Sequence, residues 1–103
     1  MQYQLILRFR KISIEYPNEI QSLEKALTKL LGDSAQLDGY DTGAREINLF
    51  IMTAEPASTF RRSKPVLEQL SLLNIVTAAY RLEGGVRFTV IWPLKYARKF
   101  SLQ

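Results

Sequence analysis

The chain has 103 residues, 47% of them hydrophobic, and its 14 Lys and Arg residues outnumber 10 Asp and Glu residues to give a net charge of +4. This length and apolar content predict one folded domain over residues 1–103. The sequence contains no cysteine and no histidine. Disulfides, thiol nucleophiles, Ser-His-Asp triads and metal sites built from thiolate or imidazole are thereby excluded. We expect a protein that is not an enzyme and holds no cofactor and no metal.

Residues 1–8 lack the basic region and following apolar stretch that are typical of a signal peptide. No apolar run approaches the roughly 20 residues that a membrane helix needs. We therefore expect a cytoplasmic protein without a membrane partner.

The first regular elements are predicted by the spacing of apolar residues. Residues 3–9 alternate with a period of two and predict a half-buried strand. Pro17-Asn18 then opens a helix, which Gly32 ends. Its apolar residues recur at three- and four-residue steps, at Ile20, Leu23, Leu27, Leu30 and Leu31.

Residues 33–46 are rich in turn formers, and Asp38 and Asp41 suggest a cation loop. An EF-hand-type calcium loop needs oxygen ligands at alternate positions and a glutamate at the twelfth. Counted from Asp38, that position is Leu49, so Asp and Gly are interpreted here as turn formers. A short strand around 35–37 or Tyr40 is expected to pair with a strand over Glu46–Thr53. Whether this acidic loop binds a ligand stays open.

A second helix begins at Glu55-Pro56 and is expected to carry Phe60, Leu67 and Leu70 inward. Pro65 lies inside it and predicts a kink or a restart, because proline lacks the backbone donor.

Two further strands, 75–82 and 86–92, are expected to join at a hairpin turn over 83–85. Pro93 ends the last strand, and residues 94–103 form a basic amphipathic tail. The order of elements predicts an α+β fold on the ferredoxin-like βαββαβ plan, with an extra C-terminal hairpin strand. Two helices would cover one face of an antiparallel sheet and leave the other open.

Strand alternation predicts which side chains occupy the open face. In the last strand, Phe88, Val90 and Trp92 are expected to point towards the helices. The open face should then present arginines around an apolar centre, and we predict it as an interaction face formed by Ile6, Arg8, Arg10, Phe50, Met52, Arg81, Arg87 and Ile91.

Three occupants could cover this face. One is a second copy of the chain, which would make a homodimer. Another is the chain's own tail, folded back through Leu94, Tyr96 and Phe100. The third is single-stranded nucleic acid, with Phe50 stacking on a base and arginines contacting phosphates. We favour self-association or the tail, because the aromatic signature of RNA-binding modules is missing.

Charge is distributed unevenly along the chain. Residues 1–11 have a net charge of +3, residues 12–60 of −5, and residues 61–103 of +6. Such asymmetry predicts a surface that attracts charged partners.

Four segments carry a resemblance to known proteins: Thr59-Phe60, Pro65-Val66-Leu67, 76–81 and 88–93. They resemble a group of small uncharacterised bacterial α+β proteins, and the likeness extends over most of the chain. The resemblance implies a self-contained bacterial ferredoxin-like domain and no particular activity.

We therefore expect a protein-interaction module that associates with itself or with another protein. A toxin-neutralising immunity-type protein is one form of this hypothesis, by analogy of size and class alone. Nucleic-acid binding on the open face is an alternative. An enzyme lacking His and Cys is the least favoured, and it would depend on Asp38, Tyr40 and Asp41.

Overall fold

Five strands and two main helices follow one another in the computed structural model, which describes residues 1–102. This arrangement confirms the predicted α+β class. In chain order the elements are β1 (Tyr3–Arg10), a 3₁₀ turn (Lys11–Ser13), α1 (Asn18–Leu31), a second 3₁₀ turn (Gly32–Ser34), β2 (Ala35–Thr42), β3 (Glu46–Thr53), α2 (Pro56–Gln69), β4 (Thr77–Leu82) and β5 (Thr89–Trp92).

β1 is the central strand of an antiparallel sheet with the order β2-β3-β1-β4-β5. Leu5 lies opposite Ile51 on one side and Tyr80 on the other. Leu5, Ile6 and Leu7 are all fully buried, so β1 is covered on both faces of the sheet. A strand with buried neighbours on both faces can occupy the middle of a sheet without exposing apolar surface.

The main core lies between the sheet and the two helices. In α1, Ile20, Leu23, Leu27 and Leu31 are buried as their spacing predicts. Leu30, which the sequence also places inward, is instead 39% exposed. α1 ends as expected at Gly32, whose N–H donates to the carbonyl of Thr28 and whose positive φ of 53° turns the chain out of the helix.

α2 runs without a break across Pro65, so the predicted restart is wrong. Proline removes one hydrogen bond to the carbonyl four residues earlier, which here belongs to Arg61. Both residues are exposed, so water can satisfy that carbonyl. Phe60 and Leu67 are buried as predicted, and Leu70 is half-buried just after the helix.

β2 is longer than the short strand predicted around 35–37 or Tyr40, and it contains an irregularity. The pairing with β3 shifts between Leu37 and Tyr40, and Gly39 between them has a φ of 77°. A bulge therefore interrupts the ladder where the sequence indicates a turn.

The face assignments predicted for the last strand, 86–92, are wrong for three residues, Phe88, Val90 and Ile91. Val90 lies opposite Ala79 and Trp92 opposite Ala78, so Ile91 is an extra, bulged residue. The bulge reverses the alternation: Phe88 and Val90 pack on the face away from the helices, whereas Ile91 packs against the main core. Trp92 lies on the helix side as predicted.

The hairpin before β5 is also wider than predicted. Gly85 N–H donates to the Leu82 carbonyl over 2.7 Å, which closes a turn at 83–85. Strand pairing resumes only at Thr89, so residues 86–88 belong to the connection.

Neither helix in the part of the chain that the structure describes is long and apolar enough to cross a bilayer, since each has 14 residues.

The bulge in β2 yields a stability prediction. A Cβ added at Gly39 meets nothing within 4 Å, so Gly39→Ala should be disfavoured by its positive φ alone, by about 1 kcal/mol. Gly43→Ala is the matched control in the same hairpin, because Gly43 has no positive φ and its Cβ would lie 3.6 Å from the Glu46 carbonyl oxygen. Urea unfolding measures both. Equal midpoints for the two variants would contradict the assigned backbone conformation.

Candidate functional site

The C-terminal tail covers the centre of the face that the helices leave open. Residues 94–102 form no helix or strand. Phe100 is only 5% exposed and packs with Ile6 and Ala79, which are fully buried. Half-buried side chains surround this second, smaller core: Phe50, Phe88, Val90, Tyr96 and Leu102. Of the three predicted occupants, the structure places the tail there.

Arg8 holds the tail against the sheet. Its Nε donates to Asn48 Oδ1 over 2.9 Å and lies 3.2 Å from Glu46 Oε2 on the neighbouring strand. Its Nη2 donates to the Ser101 carbonyl over 2.7 Å, and its Cζ lies 3.9 Å from the centroid of the Phe100 ring. The Arg8 side chain is 11% exposed, so its contacts with Asn48 and the Phe100 ring are partly shielded from water, whereas the hydrogen bond to Ser101 is exposed. Shielding strengthens both charge-assisted hydrogen bonds and cation–π contacts.

Arg81 makes a parallel set of contacts on the next strand. Its Nε donates to Gln4 Oε1 over 2.9 Å, and its Cζ lies 4.8 Å from the Phe88 ring centroid. The rings of Phe88 and Phe100 pack with centroids 5.1 Å apart. Arg8, Phe100, Phe88 and Arg81 thus contact one another in that order across the face.

The residues of the predicted interaction face do not form one free surface. Ile6 is buried beneath the tail, and Arg8 and Arg81 are engaged within the chain. Ile91 lies on the opposite side, because of the bulge in β5.

The other four members of the predicted face remain partly or fully exposed. Phe50 and Met52 are half-buried, and Phe50 packs against the tail core. Arg10 and Arg87 are exposed. In the tail, Leu94 is 85% exposed, so it does not fold back as predicted, whereas Phe100 does.

A groove of about 500 Å³ lies where the tail crosses the end of the sheet. Arg10 enters it from the end of β1, and Arg45 from the turn between β2 and β3. Lys95 and Arg98 enter it from the tail, with Tyr96 between them in sequence. The backbone N–H of Lys11 donates to the Arg45 carbonyl over 2.8 Å, which fixes that turn beside β1.

The groove has an excess of positive charge. Arg8–Glu46 is the only ion pair closer than 4.0 Å within residues 1–102. Arg8 and Glu46 both line the groove and pair with each other, so Arg10, Arg45, Lys95 and Arg98 have no carboxylate partner there. Like charges gathered around one concavity attract anions from solution. The groove, which we call the basic groove, can therefore bind carboxylates or phosphates.

The predicted interaction face leaves out Lys95, Arg98 and Arg45 of this groove. Lys95 and Arg98 belong to the tail, which the sequence marks as basic, whereas no pattern points to Arg45. Arg45 lies inside the net-acidic segment 12–60, so the charge pattern gives no sign of it. The positive charges of 1–11 and 61–103 were visible in the sequence. Their meeting at one end of the sheet depends on the path of the tail.

The acidic loop forms no obvious ligand site. Asp38 and Asp41 are exposed, and Asp41 Oδ1 accepts a hydrogen bond from Asn48 Nδ2 over 3.2 Å. Among residues 1–102 there is no group of three or more Asp and Glu side chains placed to hold a metal ion. Hydrogen bonding with Tyr16, then desolvation and then nearby charges raise the pKa of Tyr40 above its ordinary value.

Comparison with protein-family models, curated proteins and solved structures finds no match to this chain. The functional argument therefore depends on the geometry of the site.

The contacts of Arg8 predict a clear effect on stability. Arg8→Ala removes the donor that Asn48 and Ser101 share, and should lower the free energy of unfolding by about 2 kcal/mol. Arg87→Ala is the matched control, since Arg87 is exposed, and should change it by less than about 0.5 kcal/mol. Urea denaturation followed by circular dichroism measures both. If Arg8→Ala lowers the free energy of unfolding no more than Arg87→Ala does, the contacts of Arg8 do not stabilise the docked tail.

Proposed function

We propose that the protein is a non-enzymatic interaction module that binds an acidic segment of a partner protein in the basic groove. The observation that carries this proposal is the set of five cationic side chains around one groove, four of which, all except Arg8, are not paired with a carboxylate of residues 1–102. Three of the four are arginines, whose guanidinium forks suit carboxylates in a bidentate geometry.

We also propose that the domain is a bacterial, cytoplasmic, ferredoxin-like βαββαβ sandwich with an extra C-terminal hairpin strand. The element order from β1 to β4, with β5 paired to β4, supports the ferredoxin-like part of this proposal. The sheet order β2-β3-β1-β4 supports it as well, because β1 and β3 are the two inner strands of that plan.

The packing of the aromatic side chains favours an acidic protein segment over single-stranded nucleic acid as the partner. Binding of single strands depends on rings that are free to stack on bases. Phe88 and Phe100 already pack against each other at an interplanar angle of 57° and each contacts an arginine, and Phe50 is half-buried against the same core. Two of the arginines expected to contact phosphates, Arg8 and Arg81, are engaged within the chain.

The position of the tail also directs the proposal towards a partner rather than a second copy. A homodimer through the open face would have to displace Phe100 from its contacts with Ile6 and Ala79. Toxin neutralisation is a narrower form of the same proposal, in which the acidic segment belongs to a toxin.

Binding of a fluorescein-labelled poly-glutamate peptide, followed by fluorescence anisotropy, tests the proposal. The double variant Arg10→Gln, Arg45→Gln should weaken binding about tenfold, because it removes two of the four unpaired groove charges. The control variant Lys25→Gln, Lys29→Gln alters the net charge equally, but at exposed positions of α1 outside the groove. It should weaken binding less than about threefold, since distant charges are screened.

Equal losses in the two double variants would mean that the peptide responds to net charge and would overturn the groove as its site. A short oligothymidylate, titrated in parallel, tests the class of partner. If it binds more tightly than poly-glutamate and loses more affinity in the groove variant, the partner is a nucleic acid instead.

A further inference from the structure

The tail supplies two of the four unpaired cationic side chains of the basic groove. Lys95 and Arg98 lie in residues 94–102, which have no helix or strand of their own to hold them in place. Arg10 and Arg45, in contrast, are attached to the sheet and to a turn fixed by hydrogen bonds. The position of the tail charges therefore depends on whatever fixes the tail.

The tail is fixed at Tyr96, which lines the groove and packs on the second core, and again nearer its C-terminal end, by Arg8, which also lines the groove, and by Phe100, which does not. Phe100 is buried against Ile6 and Ala79, and the carbonyl of Ser101 accepts from Arg8. Pro93 and the end of β5 fix the other end of the tail. The segment that carries Lys95 and Arg98 is thus held at both ends.

We propose that Phe100 and Arg8 are positioning residues that complete the basic groove, so that docking of the tail and binding of an acidic segment are coupled. This inference rests on the proposed function. The side chain of Phe100 does not line the groove, and it acts by holding Lys95 and Arg98 beside Arg10 and Arg45. Coupling of this kind is reciprocal, so a bound acidic segment also favours the docked tail.

Phe100→Ala tests the coupling without altering the charge of the protein. We expect it to weaken binding of the poly-glutamate peptide about tenfold, as the loss of two groove charges would. The dependence of affinity on salt should become shallower, because fewer charges contact the peptide. Leu94→Ala is the matched control in the same tail, since Leu94 is 85% exposed, and should leave affinity and salt dependence unchanged.

Two further measurements distinguish the positioning of the tail charges by Phe100 from a general loss of stability in Phe100→Ala. Ile20→Val truncates the main core on the helix side and should lower stability without altering affinity. In the wild-type background, the double variant Lys95→Gln, Arg98→Gln should weaken binding of the poly-glutamate peptide about tenfold. In the Phe100→Ala background it should have little further effect, since the tail charges have already left the groove.

The outcomes distinguish this inference from the proposed function. If the wild-type protein does not bind the peptide, both fail. If the wild type binds it and Phe100→Ala binds equally well, the groove proposal stands and the coupling is wrong. Additive losses from Phe100→Ala and the tail-charge variant would also contradict the coupling.

Discussion

The tail is held over the open face of the sheet by the contacts of the Arg8 guanidinium. A charge that is only 11% exposed is costly unless acceptors surround it, and here the acceptors come from two separate parts of the chain. Asn48 and Glu46 approach from β3, whereas the Ser101 carbonyl approaches from the tail. The Phe100 ring closes the remaining side. Because β1 is the central strand, this single side chain links the middle of the sheet to the C-terminus.

Docking of the tail changes what the face can do. An open apolar sheet face would suit a second copy of the chain or the bases of a nucleic acid. Here Ile6 is fully buried, and the rings of Phe100 and Phe88 are already in contact with Arg8 and Arg81. The tail instead places unpaired positive charge at the end of the sheet, around the basic groove. Covering one surface and creating another are therefore two results of the same tail path. This is why the proposed function is binding of an acidic segment at the groove, and not pairing across the sheet.

The elements that depend on local periodicity were predictable from the sequence. β1, α1 and β3 have apolar residues at the spacing of their own secondary structure, and Gly32 ends α1 as expected. The face of β5 was not predictable, since one bulged residue, Ile91, reverses the alternation of its neighbours. Fold-back of the tail was one of three predicted covers, because an apolar face needs an occupant but does not specify which. Arg45 could not be assigned to the site, since its proximity to Lys95 and Arg98 results from long-range packing.

Nuclear Overhauser effects between the tail and the sheet test the central claim most directly. If Arg8 and Phe100 dock the tail, a NOESY spectrum of the wild-type protein will show cross-peaks from the Phe100 ring protons to the Ile6 methyl groups and to the Phe88 ring. The same cross-peaks should weaken in Arg8→Ala and persist in Arg87→Ala. Random-coil chemical shifts throughout residues 94–102, with no cross-peak between Phe100 and Ile6, would contradict the docked tail and the groove that depends on it.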